Sequence, residues 1–140
     1  MCVLDTTVAF YALHDTNPLL VDSNETLILN YAATNIGNAY DTQTGVFTAP
    51  VNGLYDFQAT ITIYVNIVSQ VCAGLYVDDC MLAKGAAYIS GSVQSTLRAV
   101  AHVKKGQKVC LKNALSSEAE YYSCLAEPYT TFSGFLIKAD

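Results

Sequence analysis

From Gly53 to Val65 the chain alternates without a break. Tyr55, Phe57, Ala59, Ile61, Ile63 and Val65 fall on one parity, and Asp56, Gln58, Thr60, Thr62 and Tyr64 on the other. Successive side chains of a strand point to opposite faces, so this run predicts one long β-strand with an apolar face against a core. Its β-branched and aromatic residues suit a pleated, half-buried surface. No window repeats apolar residues at spacings of three and four between capping residues, so no helix is predicted.

Other strands are expected at intervals broken by turn residues. They are Val8–Leu13, which ends before His14-Asp15-Thr16-Asn17-Pro18, then Leu27–Tyr31, Val46–Ala49, Val71–Val77, Val93–Val103, Lys108–Lys112 and about Thr130 to Ala139. Eight to ten short strands separated by turns read as an all-β sandwich or jelly roll in a single domain. Val8–Leu13 and Phe132–Ile137 are apolar or aromatic on both faces. An antiparallel sandwich strand normally shows one face to water, so a neighbouring copy of the chain is the simplest cover for the other.

Composition supports that reading. The 140 residues are 52% hydrophobic and only 14% charged, against about a quarter charged in an average soluble domain. A net charge of −5 argues against a nucleic-acid partner, whose phosphates need a basic face. No apolar run reaches the roughly 20 residues of a membrane-spanning helix, and residues 1–5 do not resemble a signal peptide. There is no Gly-X-Y tract, so no collagen stalk is expected in these residues.

The most specific pattern lies just before the long strand. It runs Asn35-x-Gly37-x-x-Tyr40-Asp41-x-x-Thr44-Gly45-x-Phe47-x-Ala49-Pro50-x-x-Gly53-x-Tyr55-x-Phe57. Phe10 precedes it in Val8-Ala9-Phe10, and Thr131-Phe132-Ser133-Gly134-Phe135-Leu136-Ile137 closes the chain. Together these resemble the globular head domain of complement C1q, in the same order, from Val8 to Ile137. The resemblance implies a ten-stranded jelly roll of two antiparallel five-stranded sheets, with a core of residues 8–138. It also implies a homotrimer, as in the related tumour necrosis factor fold, and a secreted, stand-alone head of invertebrate type. Within it, Phe47, Tyr55, Phe57 and Phe135 are expected to fill the space between the sheets. Gly45 and Gly53 would permit turns, and Pro50 would end a strand.

Five cysteines, Cys2, Cys72, Cys80, Cys110 and Cys124, form no Cys-x-x-Cys pair, so no structural zinc site is expected. Buried thiols and one disulfide are equally good readings of the count alone. The family topology implies a Cys80–Cys124 bridge, with Cys72 and Cys110 unpaired on strands of different sheets. Asn24-Glu25-Thr26 fits the N-glycosylation pattern.

No catalytic motif is present. His14 and His102 lack a recognisable nucleophile, and Gly-x-Ser-x-Gly and His-Glu-x-x-His are missing. Asp78-Asp79 and Glu118-x-Glu120 read as solvated turn charge rather than a calcium site, so no cofactor is expected. Two groups are candidates for ligand binding. Arg98, Lys104, Lys105, Lys108 and Lys112 are five of the seven cations, placed within fifteen residues that hold no acid. They could meet anionic glycans, or simply be a solvated face divided between two sheets. The other group is Glu120, Tyr121 and Tyr122 on a long polar loop, with Tyr129, Tyr64 and Asn66 near the same end. Rings there could stack on sugars or pack beneath the loop. The resulting expectation is a non-enzymatic, lectin-like recognition protein of innate defence, binding glycans or microbial surfaces. The alternative is a receptor-binding or matrix-assembly head without sugar binding.

Overall fold

The computed structural model describes residues 6–65, 73–85, 91–115 and 118–140. Among them the chain forms β1 (Ala9–Leu13), β2 (Leu19–Val21), β3 (Tyr31–Ile36), β4 (Tyr40–Asp41), β5 (Val46–Thr48) and β6 (Gly53–Val65). Then follow β7 (Ala73–Val77), β8 (Cys80–Gly85), β9 (Gly91–Val103), β10 (Lys108–Asn113), β11 (Ala119–Tyr121) and β12 (Thr131–Ala139). All pairings are antiparallel, and the fold is a two-sheet jelly roll.

The smaller sheet has the order β4-β5-β10-β7-β8, five strands as expected. The larger has seven, β2-β11-β6-β12-β1-β3 with β9 on the free side of β6. The difference from five is one of interruption, not of width. β12 and β11 both lie along the same edge of β6, at Gly53–Thr60 and at Ile63–Tyr64. β1 continues that arrangement against β12, and β2 against β11. Two neighbouring lanes of a five-lane sheet are thus each broken once, by residues 14–18 and by residues 122–130.

The expected strand Leu27–Tyr31 is displaced. Pairing there is reduced to a Thr26–Lys112 bridge and a Leu27 N–H to Leu111 carbonyl bond of 2.9 Å, and the regular strand begins at Tyr31. Leu27 and Leu29 are buried, which is the alternation that suggested a strand.

The core is aromatic at one end. Phe10 stacks on Tyr40 at 5.0 Å and on Phe47 at 5.1 Å, and meets Phe132 edge-on at 4.8 Å. Tyr55 and Phe57 join through Phe47. The two tyrosines keep their hydroxyls satisfied, Tyr40 by the Leu29 carbonyl at 2.7 Å and Tyr55 by the Val51 carbonyl at 2.8 Å. Burial pushes both phenols up from their usual range, so they stay protonated donors. Asn35 clamps its own loop. Its amide donates to the Tyr40 carbonyl and its oxygen accepts the Tyr40 N–H, across Gly37 at φ +88°.

Phe135 does not join this core. β12 alternates, so Phe132 and Gly134 point inward and Phe135 points out, 46% exposed. Gly134 is inward because no side chain fits: a Cβ there would lie 2.6 Å from the Phe57 ring and 2.8 Å from the Phe10 ring.

At Gly45 the backbone itself demands glycine. Its φ is +72°, and a Cβ would sit 2.7 Å from the Leu27 carbonyl oxygen, on the crossing segment that carries Leu27 and Leu29 into the core. Gly45→Ala is expected to lose more than about 2 kcal/mol, from left-handed strain plus a clash with immovable backbone. A urea midpoint at fixed protein concentration measures this, and an unchanged midpoint would refute it.

The disulfide expectation fails. Cys80, Cys110 and Cys124 are free thiols. Cys80 opens β8, an edge strand of the smaller sheet, beside the turn where Asp78 meets Lys108. Cys124 lies in the interruption of the larger sheet, level with Thr62, because Tyr122 bonds the Thr62 carbonyl. The end of β6 near Cys80 is Gly53, which pairs Val103 just before the 104–107 turn. At about 3.3 Å per residue, Thr62 is roughly 30 Å up the strand from that end, far beyond bridging range. Cys110 lies on β10 of the smaller sheet, opposite Tyr76 of β7. Cys2 and Cys72 lie outside the described residues.

Candidate recognition surface

The two broken lanes place two excursions side by side at one level of the larger sheet. They hold each other. The Asn17 side chain accepts the Ser123 N–H, and the Ser123 hydroxyl donates to the Thr130 carbonyl at 2.7 Å while accepting the His14 N–H at 3.4 Å. Asn30 braces the first excursion through reciprocal bonds with Asp15.

Thr130 mends the sheet where the strand is missing. Its hydroxyl accepts the Thr62 N–H at 3.0 Å and donates to the Thr62 carbonyl at 3.2 Å, standing in for a ladder rung. Cys124 and Glu127 close a tight turn by exchanging backbone bonds of 3.0 and 3.1 Å. These loops therefore ride on fixed scaffolding, although they carry little regular structure.

This platform exposes Leu125, Tyr129 and Leu20, with Leu20 opposite Glu120 across β2 and β11. Glu120, Glu127 and Asp15 are exposed around them. Rings and aliphatic side chains flanked by carboxylates offer flat apolar contact together with hydrogen-bond acceptors. They do not offer a home for an anion.

The predicted ligand residues divide here. Tyr121 is buried in full, pairs Ile63 across the ladder, and donates to Asn113 Oδ1 at 3.1 Å. It is a core residue, because β11 restores the alternation just before the chain leaves the sheet. Tyr122, one position on, is half-buried, and its hydroxyl donates to Glu120 Oε2 at 3.1 Å. The backbone of Tyr64 pairs Glu120 on one side and Ser92 on the other. Asn66 lies outside the described residues. Tyr129, expected near the same end, is an exposed ring there, whereas sequence reasoning missed the partnership with residues 14–18. A cue was present in His14-Asp15-Thr16-Asn17-Pro18, which is too rich in turn formers for a plain strand junction.

The basic group does not form one patch. Arg98 is on the outer face of β9, where its guanidinium donates to Asp56 Oδ2 at 2.8 Å. Lys104 and Lys105 are exposed at the β9–β10 turn, six and seven residues further on, and Lys108 opens β10 in the other sheet. Asp78 sits among them, accepting the Lys108 N–H at 2.9 Å and a Gln107 amide N–H at 3.1 Å. Those bonds hold its carboxyl below the usual range. Asp140 meets His102 at 2.7 Å at the same end. Lys112 places its ammonium 5.0 Å from the Tyr76 ring centre. The cations are thus split between faces and partly matched by acids.

Among the described residues no group of three or more His, Cys, Asp or Glu side chains could hold a metal ion. Asn24 is exposed in a left-handed turn at φ +64°, with its side chain free to be reached.

Residues 9–137 match the C1q domain family. This chain belongs to that family. The C1q domain is similar to human complement C1q tumor necrosis factor-related protein 3, 28% identical over 120 residues, which are 83% of this chain and 46% of the relative. It spans about half the length of the curated relatives it matches. Among solved structures it resembles the globular domain of zebrafish complement 1qA, with a TM-score of 0.76 at 22% identity, covering 95% of this chain and 99% of that one. It also resembles murine APRIL, with a TM-score of 0.70 at 10% identity, covering 94% and 100%. At those identities the structural likeness establishes the fold. The family assignment makes this domain a recognition or signalling head.

Proposed function

We propose that this C1q domain is a secreted, non-enzymatic recognition head that assembles as a homotrimer and binds glycans of cell or microbial surfaces. The observation that carries the reading is the braced pair of excursions, which offers Tyr129 and the half-buried Tyr122 beside Glu120, Glu127 and Asp15. Sugars lay their C–H faces on such rings and donate hydroxyls to such carboxylates. The acidic surroundings favour neutral over anionic sugars, which narrows the class. Single-site affinity on a shallow surface is weak, and three copies on one assembly raise it by avidity. Exposure of Asn24 in its sequon is consistent with an extracellular setting.

A glycan array followed by calorimetry tests this. Wild-type protein is expected to bind neutral glycans at micromolar concentrations, in competition with free sugar. Tyr129→Ala is expected to weaken binding about tenfold with the fold intact, the loss of one stacking contact of about 1.4 kcal/mol. Saturable binding to cells with no sugar competition would favour the receptor-ligand reading instead.

A further inference from the structure

The outer face of the larger sheet carries an apolar row that crosses all five lanes in register. Ile36 pairs Ala9, Ala9 pairs Phe135, Phe135 pairs Asp56, and Asp56 pairs Val100. Ile36, Phe135 and Val100 are exposed large hydrophobics. Asp56, the acid in this row, is only 4% exposed. Its Oδ2 takes the Arg98 bond. Its Oδ1 is, among the described residues, the buried side-chain polar atom without a hydrogen-bond partner. Asp56 lines a groove of about 330 Å³ with Tyr11, Thr34, Gln58, Ser133 and Phe135.

A carboxylate oxygen closed off from water and left unbonded is costly, so such atoms are rare unless a partner arrives. Resting on the trimer reading above, we infer that the Asp56 Oδ1 atom accepts a hydrogen bond from an uncharged donor of a neighbouring copy, inserted into the groove of this face.

Charge decides the donor class. Arg98 already offsets the carboxylate, so a second cation would leave the seam with an unmatched charge. A hydroxyl or amide completes the site without one, and Tyr11 and Gln58 present both types on this same face. The face therefore holds acceptor, donors and apolar surface together, which is what a second copy of the chain requires. A single polar contact inside an apolar seam would also select the register of assembly, since every shifted packing leaves Oδ1 unmet.

Sedimentation equilibrium over a concentration series, with circular dichroism to confirm the fold, tests the site. Wild type is expected to be trimeric at micromolar concentration. Asp56→Asn is expected to raise the concentration of half-dissociation at least tenfold, because its amide nitrogen must face either Arg98 or the neighbour's donor. An Asp56→Asn trimer as tight as wild type would overturn the inference and leave the trimer standing. A wild type that is monomeric throughout would overturn both.

Should Asp56→Asn fail to fold, the wild-type Asp56 carboxyl carbon can be followed by NMR above and below the dissociation midpoint. A resonance that moves with dissociation supports the contact, and an unmoved one refutes it.

Discussion

Phe10→Ala is expected to lose about 3–5 kcal/mol of protomer stability, the usual cost of removing a buried Phe from a packed core. For a chain of this size that is roughly 10–20 °C in Tm. The size of the effect follows from position. Phe10 is on β1 in the larger sheet, and it stacks on Tyr40 and Phe47, which belong to β4 and β5 of the smaller one. It also touches Phe132 on the neighbouring strand. One ring thus joins both sheets and both ends of the chain, and its removal opens a cavity that the clamped Asn35–Tyr40 loop cannot close. The outward Tyr11, one residue on, gives the control. Tyr11→Ala in dissociated protein is expected to cost under about 1 kcal/mol. Denaturation at fixed concentration compares the two, and a Phe10→Ala loss below about 1.5 kcal/mol would show that the aromatic cluster does not tie the two sheets together.

Phe135→Glu is expected to abolish assembly while the protomer stays folded. Phe135 is central in the outer row, between Ala9 and Asp56. A carboxylate there would be buried in the seam beside Asp56 with no counter-ion of its own, which contact with another copy cannot tolerate. On a free protomer it faces water and costs little. Sedimentation is expected to show a single chain for the variant and three for the wild type. Binding to a multivalent glycan surface should fall by about a hundredfold or more, with monovalent sugar affinity unchanged. A Phe135→Glu protein that remains trimeric would place the seam on another face.

Much of the architecture could be read directly. The alternation from Gly53 to Val65 became β6 over those same residues, with Tyr55, Phe57, Ala59, Ile61 and Ile63 inward. Val109 and Leu111 are buried on β10, as their parity required. Tyr55 is a core residue with its hydroxyl satisfied, as its place in the pattern suggested.

The candidate site was less legible. Tyr121 and Tyr122 are neighbours in sequence but differ in burial, because a strand of three residues ends between them. Asp56 fell on the polar parity of β6, and the alternation was correct. Its burial comes instead from Phe135 and Val100 on the flanking strands and from Arg98 one row along. Phe135 was expected between the sheets because it is a large ring in an apolar strand. Gly134 takes the inward place, since the Phe57 and Phe10 rings already fill the space.

What the order of residues determined by itself is whatever depends on local spacing: strand identity, the face each side chain takes, and the glycines that turns require. A period of two is a property of one extended chain and needs no partner. What only the tertiary structure decided is adjacency: which lanes break together, which cysteines stay apart, and which acid is shut away from water. Those outcomes depend on strands far apart in sequence lying about 5 Å apart in a sheet, and no single strand carries that information.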